Sequence, residues 1–481
     1  MPTPAAPWAA RAVGRTMARM ELGALVAAVD DRSPRGIAAT VSRLARNGEL
    51  RPGDRLPTVR ATAAALGVSP ATVGSAWRAL AAVGMVGARG RAGTFLLPGP
   101  TGWLPPRYRD MARGAAAALD LSTGTPDPAL LPTLGPALAR VGARTPAAVT
   151  GTYLSAPLVP ELEAALRASW PFPPDRLTVV DGAVDAIERT LGQVARFGDR
   201  VAVEDPGFPP LFDLLDQLGL ERVPVPLDRQ GMRPDGLAAA LEAGASTVVL
   251  QPRAHNPTGV SLTPTRARDL AAVIRRHDRR AAAAAEAAGT GRRPREVHVI
   301  EDDHSGEIAS SRDVTLGAHL PRQVVHVRSY SKSHGPDLRI AAVGGPGPVL
   351  DAVVARRMLG PGWTSRLLQH VLADLLVDGA AVDAVAHARR VYYARQRTLC
   401  EALARHGLAV PPGDGINLWL PVADEATAMI RLEAAGVRVA RGTPFVASAA
   451  EPGPGHVRVT VASLADGVEE VARRLALAAA A

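Results

Sequence analysis

Of the 55 lysine and arginine residues in this 481-residue chain, 54 are arginine and one is lysine. The exception, Lys332, sits in RSYSKSHGPDLRI (328–340). Arginine stays protonated, whereas a lysine amine can lose its proton and form a Schiff base with an aldehyde such as pyridoxal 5′-phosphate. An anchor of that kind needs three companions. These are an anion site for the phosphate, an acid facing the pyridine nitrogen, and a group stacked on the ring.

Each has a candidate. VIEDDHSGE (299–307) puts adjacent acids at the end of an apolar run, about 30 residues before the lysine. A carboxylate there would keep the pyridine nitrogen protonated and make the ring an electron sink. In VVDGAVDAIERTL (179–191) an apolar run meets a Gly turn and a helical pattern, which offers free N–H groups and the positive end of a helix dipole to a phosphate. Ser329, Ser331 and Arg339 bracket the lysine and could complete that anion site. Asn256, in HNPTG, could donate to the ring hydroxyl, and Phe208, in EDPGFPP, could stack on the ring. Alone, each is weak, since an NPTG is usually a turn and a Phe usually core. Their order around the only lysine is what makes them a set.

The elements that must carry this set are legible as alternation. LTVV (177–180), RVAVED (200–205), STVVLQP (246–252), EVHVIEDD (296–303) and QVVHVRSYS (323–331) are strand-like runs separated by Ala- and Leu-rich helical stretches. Such a rhythm predicts an α/β domain with a mostly parallel sheet. RRHDRRAAAAAEAAGTGRRPR (275–295) reads as a helix extended by a low-complexity surface insertion. Ahead of this domain, residues 1–20 are Ala/Pro/Arg-rich and expected to be flexible, and residues 99–118 have the Pro/Gly density of a linker. No apolar run approaches the ~20 residues of a membrane span, and the start lacks the apolar block of a signal peptide. One cysteine, Cys400, rules out an intramolecular disulfide, so a cytoplasmic protein is expected.

Charge separates the remaining segment, 21–98, from the rest. Residues 1–98 hold 13 Arg against five acids, a net of +8 out of a formal +9 for the whole chain. A basic module beside a neutral body implies a polyanionic partner for the module alone. Thr58 can open a short helix ending at Leu66-Gly67-Val68, and Ser69 with Pro70 can open a second. Two helices joined by a Gly-containing turn form a helix-turn-helix. MVGARGRAGTFLL (85–97) then alternates around an Arg-bearing tip, like a β-hairpin wing.

Two resemblances follow from these motifs. Over about residues 34–97, GELRPGDRLPTVR, GVSPATV and AGTF resemble the winged helix of the GntR family of transcription regulators. The likeness implies a double-stranded DNA operator as partner, met by Arg60 and Thr72 and by Arg89 and Arg91 on the wing. Family members often carry an arginine after the capping serine, where this chain has Pro70 and Ala71. From about 119 to 475, GTPDPALLP, DGA, EDPGFP, NPTG, EDDH, SYSKSHGPDLR and HVRVTVA are similar to a fold-type I aminotransferase of class I/II. Together the two parts look like the MocR group of GntR regulators.

That second resemblance implies a PLP-dependent-transferase fold over 119–481, with a mostly parallel large domain and a smaller α+β C-terminal domain from roughly 370. By position it implies Lys332 as the Schiff-base lysine, and Asp302 as the pyridine-nitrogen partner with Asp303 as fallback. Asn256 falls on the ring-hydroxyl donor, Phe208 on the stacking ring, and Gly182, Ala183, Ser329, Ser331 and Arg339 on the phosphate site. Tyr153 matches a tyrosine that reaches the other subunit's phosphate, which implies a homodimer, domain-swapped arrangements included. Arg458 matches the arginine that grips an amino acid's α-carboxylate. Pyridoxal 5′-phosphate is the implied cofactor, and no metal is expected. Two departures bear on competence. Asp181 precedes the Gly-Ala turn, where its charge would repel a phosphate unless it faces away, and His304 replaces a tyrosine as a titratable neighbour of the ring. The expected function is a regulator that senses a small amine or amino acid. The alternative is a working aminotransferase that carries a DNA-binding domain.

Overall fold

A computed structural model describes residues 22–82, 84–88, 93–97, 105–112, 117–144, 152–153, 155–289, 294–448 and 455–480. The segment 1–20 expected to be flexible lies outside these. The chain divides into two compact units, one within residues 1–104 and one from Pro105 to Ala481 apart from Leu215–Gly219.

In the first unit α1 (Leu22–Ala28), α2 (Pro34–Arg46), α3 (Val59–Leu66) and α4 (Pro70–Ala82) precede a hairpin of β1 (Val86–Ala88) and β2 (Thr94–Leu96). The caps are those read from the sequence. Thr58 Oγ1 accepts from Ala61 N (3.2 Å) and Ser69 Oγ from Thr72 N (3.1 Å). Gly67 ends α3 in the left-handed conformation (φ 66°), which costs glycine little. Leu25, Ile37, Val41, Leu66, Val73 and Trp77 form the buried centre. The hairpin pairs Val86 with Leu96 and Ala88 with Thr94, antiparallel, as a wing requires.

The second unit opens with α5 (Pro106–Ala112), inside the stretch read as linker, and β3 (Leu119–Leu121). Next come α6 (Leu134–Arg144), α7 (Pro160–Ser169), β4 (Arg176–Val180), α8 (Ala183–Val194), β5 (Arg200–Asp205) and α9 (Pro209–Leu218). They are followed by β6 (Glu221–Asp228), β7 (Gly231–Met232), α10 (Pro234–Glu242), β8 (Ala245–Leu250), α11 (Pro264–Ala287) and β9 (His298–Asp303). The sheet is completed by β10 (Val324–Ser329) and β11 (Ala341–Gly345), after which α12 (Gly347–Met358), α13 (Arg366–Val377) and α14 (Gly379–Arg405) lead to the C-terminal part. There β12 (Asn417–Val422), α15 (Glu425–Ala434), β13 (Val437–Arg441), β14 (Gly455–Thr460) and α16 (Val468–Ala479) close the chain.

The large sheet has the order β4-β11-β10-β9-β8-β5-β6-β7. From β10 through β6 neighbours are parallel, and β11 runs antiparallel to both β10 and β4. Central strands covered on both faces read as unbroken apolar runs, and β10 is buried at every position. Parallel strands bring their C-terminal ends to one edge, so the loops after β5, β8, β9 and β10 converge there. A second, four-stranded sheet, β12-β14-β13-β3, packs with α14 and α16 around Leu399, Leu418, Val459 and Leu475. One of its strands is β3, so the small sheet draws on residues 119–121 as well as the C-terminal segment. The low-complexity insertion continues α11 to Ala287, as expected, and 290–293 lie outside the described residues. Among the described residues no helix is long and apolar enough to cross a membrane.

Candidate functional site

Lys332 follows β10 at the convergent edge, and its Nζ donates to the Gly124 carbonyl at 2.6 Å. Burial, reinforced by the charge of Arg458 and opposed by Asp302, lowers its pKa to about 8. Near neutrality a useful fraction of this amine is therefore unprotonated and nucleophilic.

The adjacent acids at the end of β9 have different fates. Burial would raise Asp303, but the Arg253 charge and hydrogen bonds (3.2 and 2.5 Å) overcome it and hold its pKa below the usual value. Among the described residues no cation hydrogen-bonds to Asp302. Burial raises it to about 6, against a hydrogen bond from Gln251 Nε2 to its Oδ2 (2.8 Å). Among the described residues Asp302 Oδ1 has no hydrogen-bond partner. An acceptor left dry in this way is what a pyridinium N–H would satisfy. Gln251 is a junction, because its Oε1 accepts from Asn256 N (2.8 Å) and its own N–H donates to Glu204 Oε2 (2.8 Å). Burial holds Glu204 well above the usual carboxyl range. Phe208, Gln251 and Asp302 line one small pocket.

At the turn expected to hold the phosphate, Gly182 adopts φ 112° at the start of α8, and a Cβ there would lie 2.4 Å from Arg339 Nη2. Arg339, itself left-handed at φ 51°, donates from Nη2 to Asp181 O at 2.6 Å. Ala183 opens α8, whose first-turn N–H groups have no intrahelical acceptors. Ser329 is buried and its Oγ accepts from Ser331 N (3.3 Å). Asp181 turns its carboxylate to Arg357 (2.8 Å) and Thr364 (2.7 Å), so a buried cation balances its charge. His304 departs from the expectation of a titrating neighbour. Burial, with the Lys332 charge second, lowers its pKa to about 3, and the ring stays neutral, its Nδ1 without a partner among the described residues.

Arg458 lies on β14, 3% exposed. It donates to Ser122 O and, at 3.3 Å, to Asn256 Oδ1, and its guanidinium is 5.2 Å from the Phe445 ring centroid. Burial lowers its pKa to about 10, partly offset by Tyr108. Among the described residues no carboxylate forms a salt bridge with it. Tyr153 is not part of this constellation. It is 81% exposed, edge-on to Trp363 at 5.9 Å, on a segment that Arg366 pins through Thr152 O and Ser155 O.

In the first unit Arg60 is exposed on α3, and Thr72, in the first turn of α4, has its hydroxyl 2.9 Å from Ser69 Oγ. Arg89 and Arg91 lie outside the described residues. Asp303, Asp313 and His326 bring metal-ligand-type atoms within 4.8 Å of one another. Arg253, Arg328 and Glu301 already engage them, and the cluster is an ion-pair network. Sequence reasoning missed Gln251, Arg253, Glu204 and Tyr108. Gln251 and Glu204 left a trace, as polar residues at the ends of apolar runs.

Known proteins share both parts. Residues 117–475 match the family of aminotransferases class I and II, and residues 35–96 match the bacterial regulatory proteins of the gntR family. The vitamin B6 salvage pathway transcriptional repressor PtsJ of Salmonella typhimurium is 36% identical over 445 residues, 91% of this chain and 96% of that protein. This chain belongs to the MocR-type GntR-family transcription regulators. Other relatives of the group are the transcriptional regulator TauR of Rhodobacter capsulatus (28% identity, 89% of this chain, 93% of that) and the pyridoxine biosynthesis regulator PdxR of Corynebacterium glutamicum (27%, 77% and 78%). Among solved structures, an archaeal alanine:glyoxylate aminotransferase superposes with a TM-score of 0.65 at 22% identity, covering 78% of this chain and 93% of that one. The α-aminoadipate aminotransferase LysN of Thermus thermophilus gives 0.63 at 22%, covering 77% and 94%. The fold of the larger unit is thus that of fold-type I aminotransferases.

The cofactor of this MocR-type regulator is pyridoxal 5′-phosphate, and the residues present fit it. The amine of Lys332 is shifted toward its neutral form, Asp302 keeps an unpartnered oxygen, and the Gly182–Arg339 approach leaves a turn that no larger residue fills.

Proposed function

We propose that this regulator reads a small amine, and an α-amino acid above all, through its aminotransferase-like unit. The observation that carries the reading is Arg458, a buried guanidinium without a carboxylate partner among the described residues, in the same chamber as the depressed amine of Lys332. A buried cation left unpaired is costly, and a ligand carboxylate binding it bidentately would relieve that cost. When bound, pyridoxal phosphate supplies an aldehyde that an amine can take from Lys332 and a ring that accepts negative charge. Asp302 would hold the ring N–H and Asn256 the ring hydroxyl, with Phe208 stacked on the ring. The α8 start at Gly182 and Ala183, with Ser329, Ser331 and Arg339, would hold the phosphate. Lys332, once released, can carry a proton. Occupancy would bias the arrangement of the two units and so the grip of Arg60, Thr72, Arg89 and Arg91 on operator DNA.

The exposure of Tyr153 supports a homodimer in which it reaches the partner subunit's phosphate site. Relatives named for vitamin B6 salvage and pyridoxine biosynthesis favour a second reading, in which occupancy by the cofactor is itself the signal. The test is one titration followed by absorbance and operator binding together, on cofactor-free and cofactor-loaded protein. Operator affinity that shifts with amines supports the first reading, and affinity that shifts on cofactor loading alone supports the second. An operator affinity indifferent to both sinks the sensor. Repeated transfer of amino groups to a keto acid in the same mixture would mark a working aminotransferase.

A further inference from the structure

Helix α5 is the point at which the chain enters the larger unit, and it is pinned at both ends of the ligand chamber. On one side, the Arg107 N–H and Nη1 donate to the Asp213 carboxylate at 2.9 and 2.6 Å. Asp213 lies on α9, which begins directly after Phe208, and the Arg107 guanidinium lies 5.9 Å from the Phe212 ring centroid. On the other side α5 packs on β13 and on the short turn Thr443–Phe445. Phe445 ties that turn to the site twice. Its carbonyl accepts from Gly207 N at 2.8 Å, and its ring backs the Arg458 guanidinium at 5.2 Å. Between these anchors sits Tyr108, 39% exposed. Burial raises its pKa, and the charges of Arg458 and Arg339 pull it back, so the phenol lies in the field of both cations. Cofactor anchoring as described above makes no use of this hydroxyl.

We propose that Tyr108 contacts the carboxylate of the bound amino acid alongside Arg458, so that the segment joining the two units is itself one wall of the ligand site. The inference rests on the reading that Arg458 receives a carboxylate. It also names a route for the signal, because a ligand that engages Tyr108 acts on the helix that leads, in sequence, straight back to the DNA-binding unit.

The experiment uses the full-length, cofactor-loaded protein and two matched probe pairs, L-leucine with isopentylamine and L-alanine with ethylamine, each followed by absorbance. Tyr108→Phe removes the hydroxyl and keeps the ring. The expected result is a half-saturating concentration raised about fivefold for each amino acid, the loss of one net hydrogen bond, with the matched amines unchanged. An equal effect on amino acid and amine would mean that Tyr108 acts on packing or on the cofactor, and would overturn the proposal. So would no effect on either, provided the wild type prefers amino acids; the Arg458 reading would then stand alone. A wild-type protein that does not distinguish amino acid from amine overturns both.

Discussion

Replacing Asp302 with Asn should make the cofactor-free protein more stable, although it removes a central group of the site. A carboxyl whose pKa rises from 3.8 to about 6 on folding binds its proton more tightly in the folded state. Its folded form is therefore favoured at low pH and penalised as pH climbs through that window. That rise corresponds to about 3 kcal/mol at pH 7 and falls below about 1 kcal/mol at pH 4. Asn keeps the shape, and its carbonyl can still accept from Gln251 Nε2, so the penalty is relieved without leaving a cavity. For a unit of this size the unfolding entropy is roughly 0.8 kcal/mol/K, which converts 3 kcal/mol into a rise of about 4 °C. Calorimetry of cofactor-free wild type and Asp302→Asn between pH 4 and 7.5 would read it from the transition of the larger unit. A variant no more stable than wild type at pH 7, or an advantage that does not shrink toward pH 4, would refute the reasoning.

Three further outcomes are expected. Arg458→Gln should reduce the preference for amino acids over their decarboxylated amines by about 10- to 100-fold, the worth of a charge-assisted pair, read by absorbance titration. Gly182→Ala should cost about 1–3 kcal/mol of stability through a strained φ, and should weaken cofactor binding in equilibrium dialysis, because its Cβ meets the Arg339 guanidinium. Arg60→Ala should weaken DNA binding on all sequences alike and lower the salt slope of log K by about 1, measured by fluorescence anisotropy at several salt concentrations.

Much of the fold was legible because local signals and packing agree. Ser69-Pro70 and Thr58 start helices, and the strand runs that carry Asp302, lead into Gln251 and end in Ser329 are mainly apolar because both faces are covered. β6 was hidden by Pro224 and Pro226. Two residues apart, their missing N–H groups fall on one edge of the strand, and the other edge still pairs with β5. β11, AAVGG, reads as a turn because of glycines that the Trp170 ring and the β10 backbone require to be small. At the site, composition could name the acid pair and could not divide it. That choice is made by Arg253, 50 residues away in sequence, which takes Asp303 and leaves Asp302 free. Helix α5 was lost in a stretch whose prolines and glycines look like a tether. What holds it is a carboxylate on α9, more than 100 residues downstream.

The solitary lysine also makes this protein an unusual chemical object. Apart from the chain terminus it offers amine-reactive reagents a single primary amine, one already lowered to about pKa 8 and held against the Gly124 carbonyl. A mild acylating ester at slightly alkaline pH would therefore report on one side chain, over a constant background from the chain terminus. Protection by the cofactor, and its loss when an amine takes the lysine's place, would appear as one increment of mass in the intact chain. Occupancy of the chamber could then be counted molecule by molecule in a mixture with operator DNA, without a chromophore and without a tag.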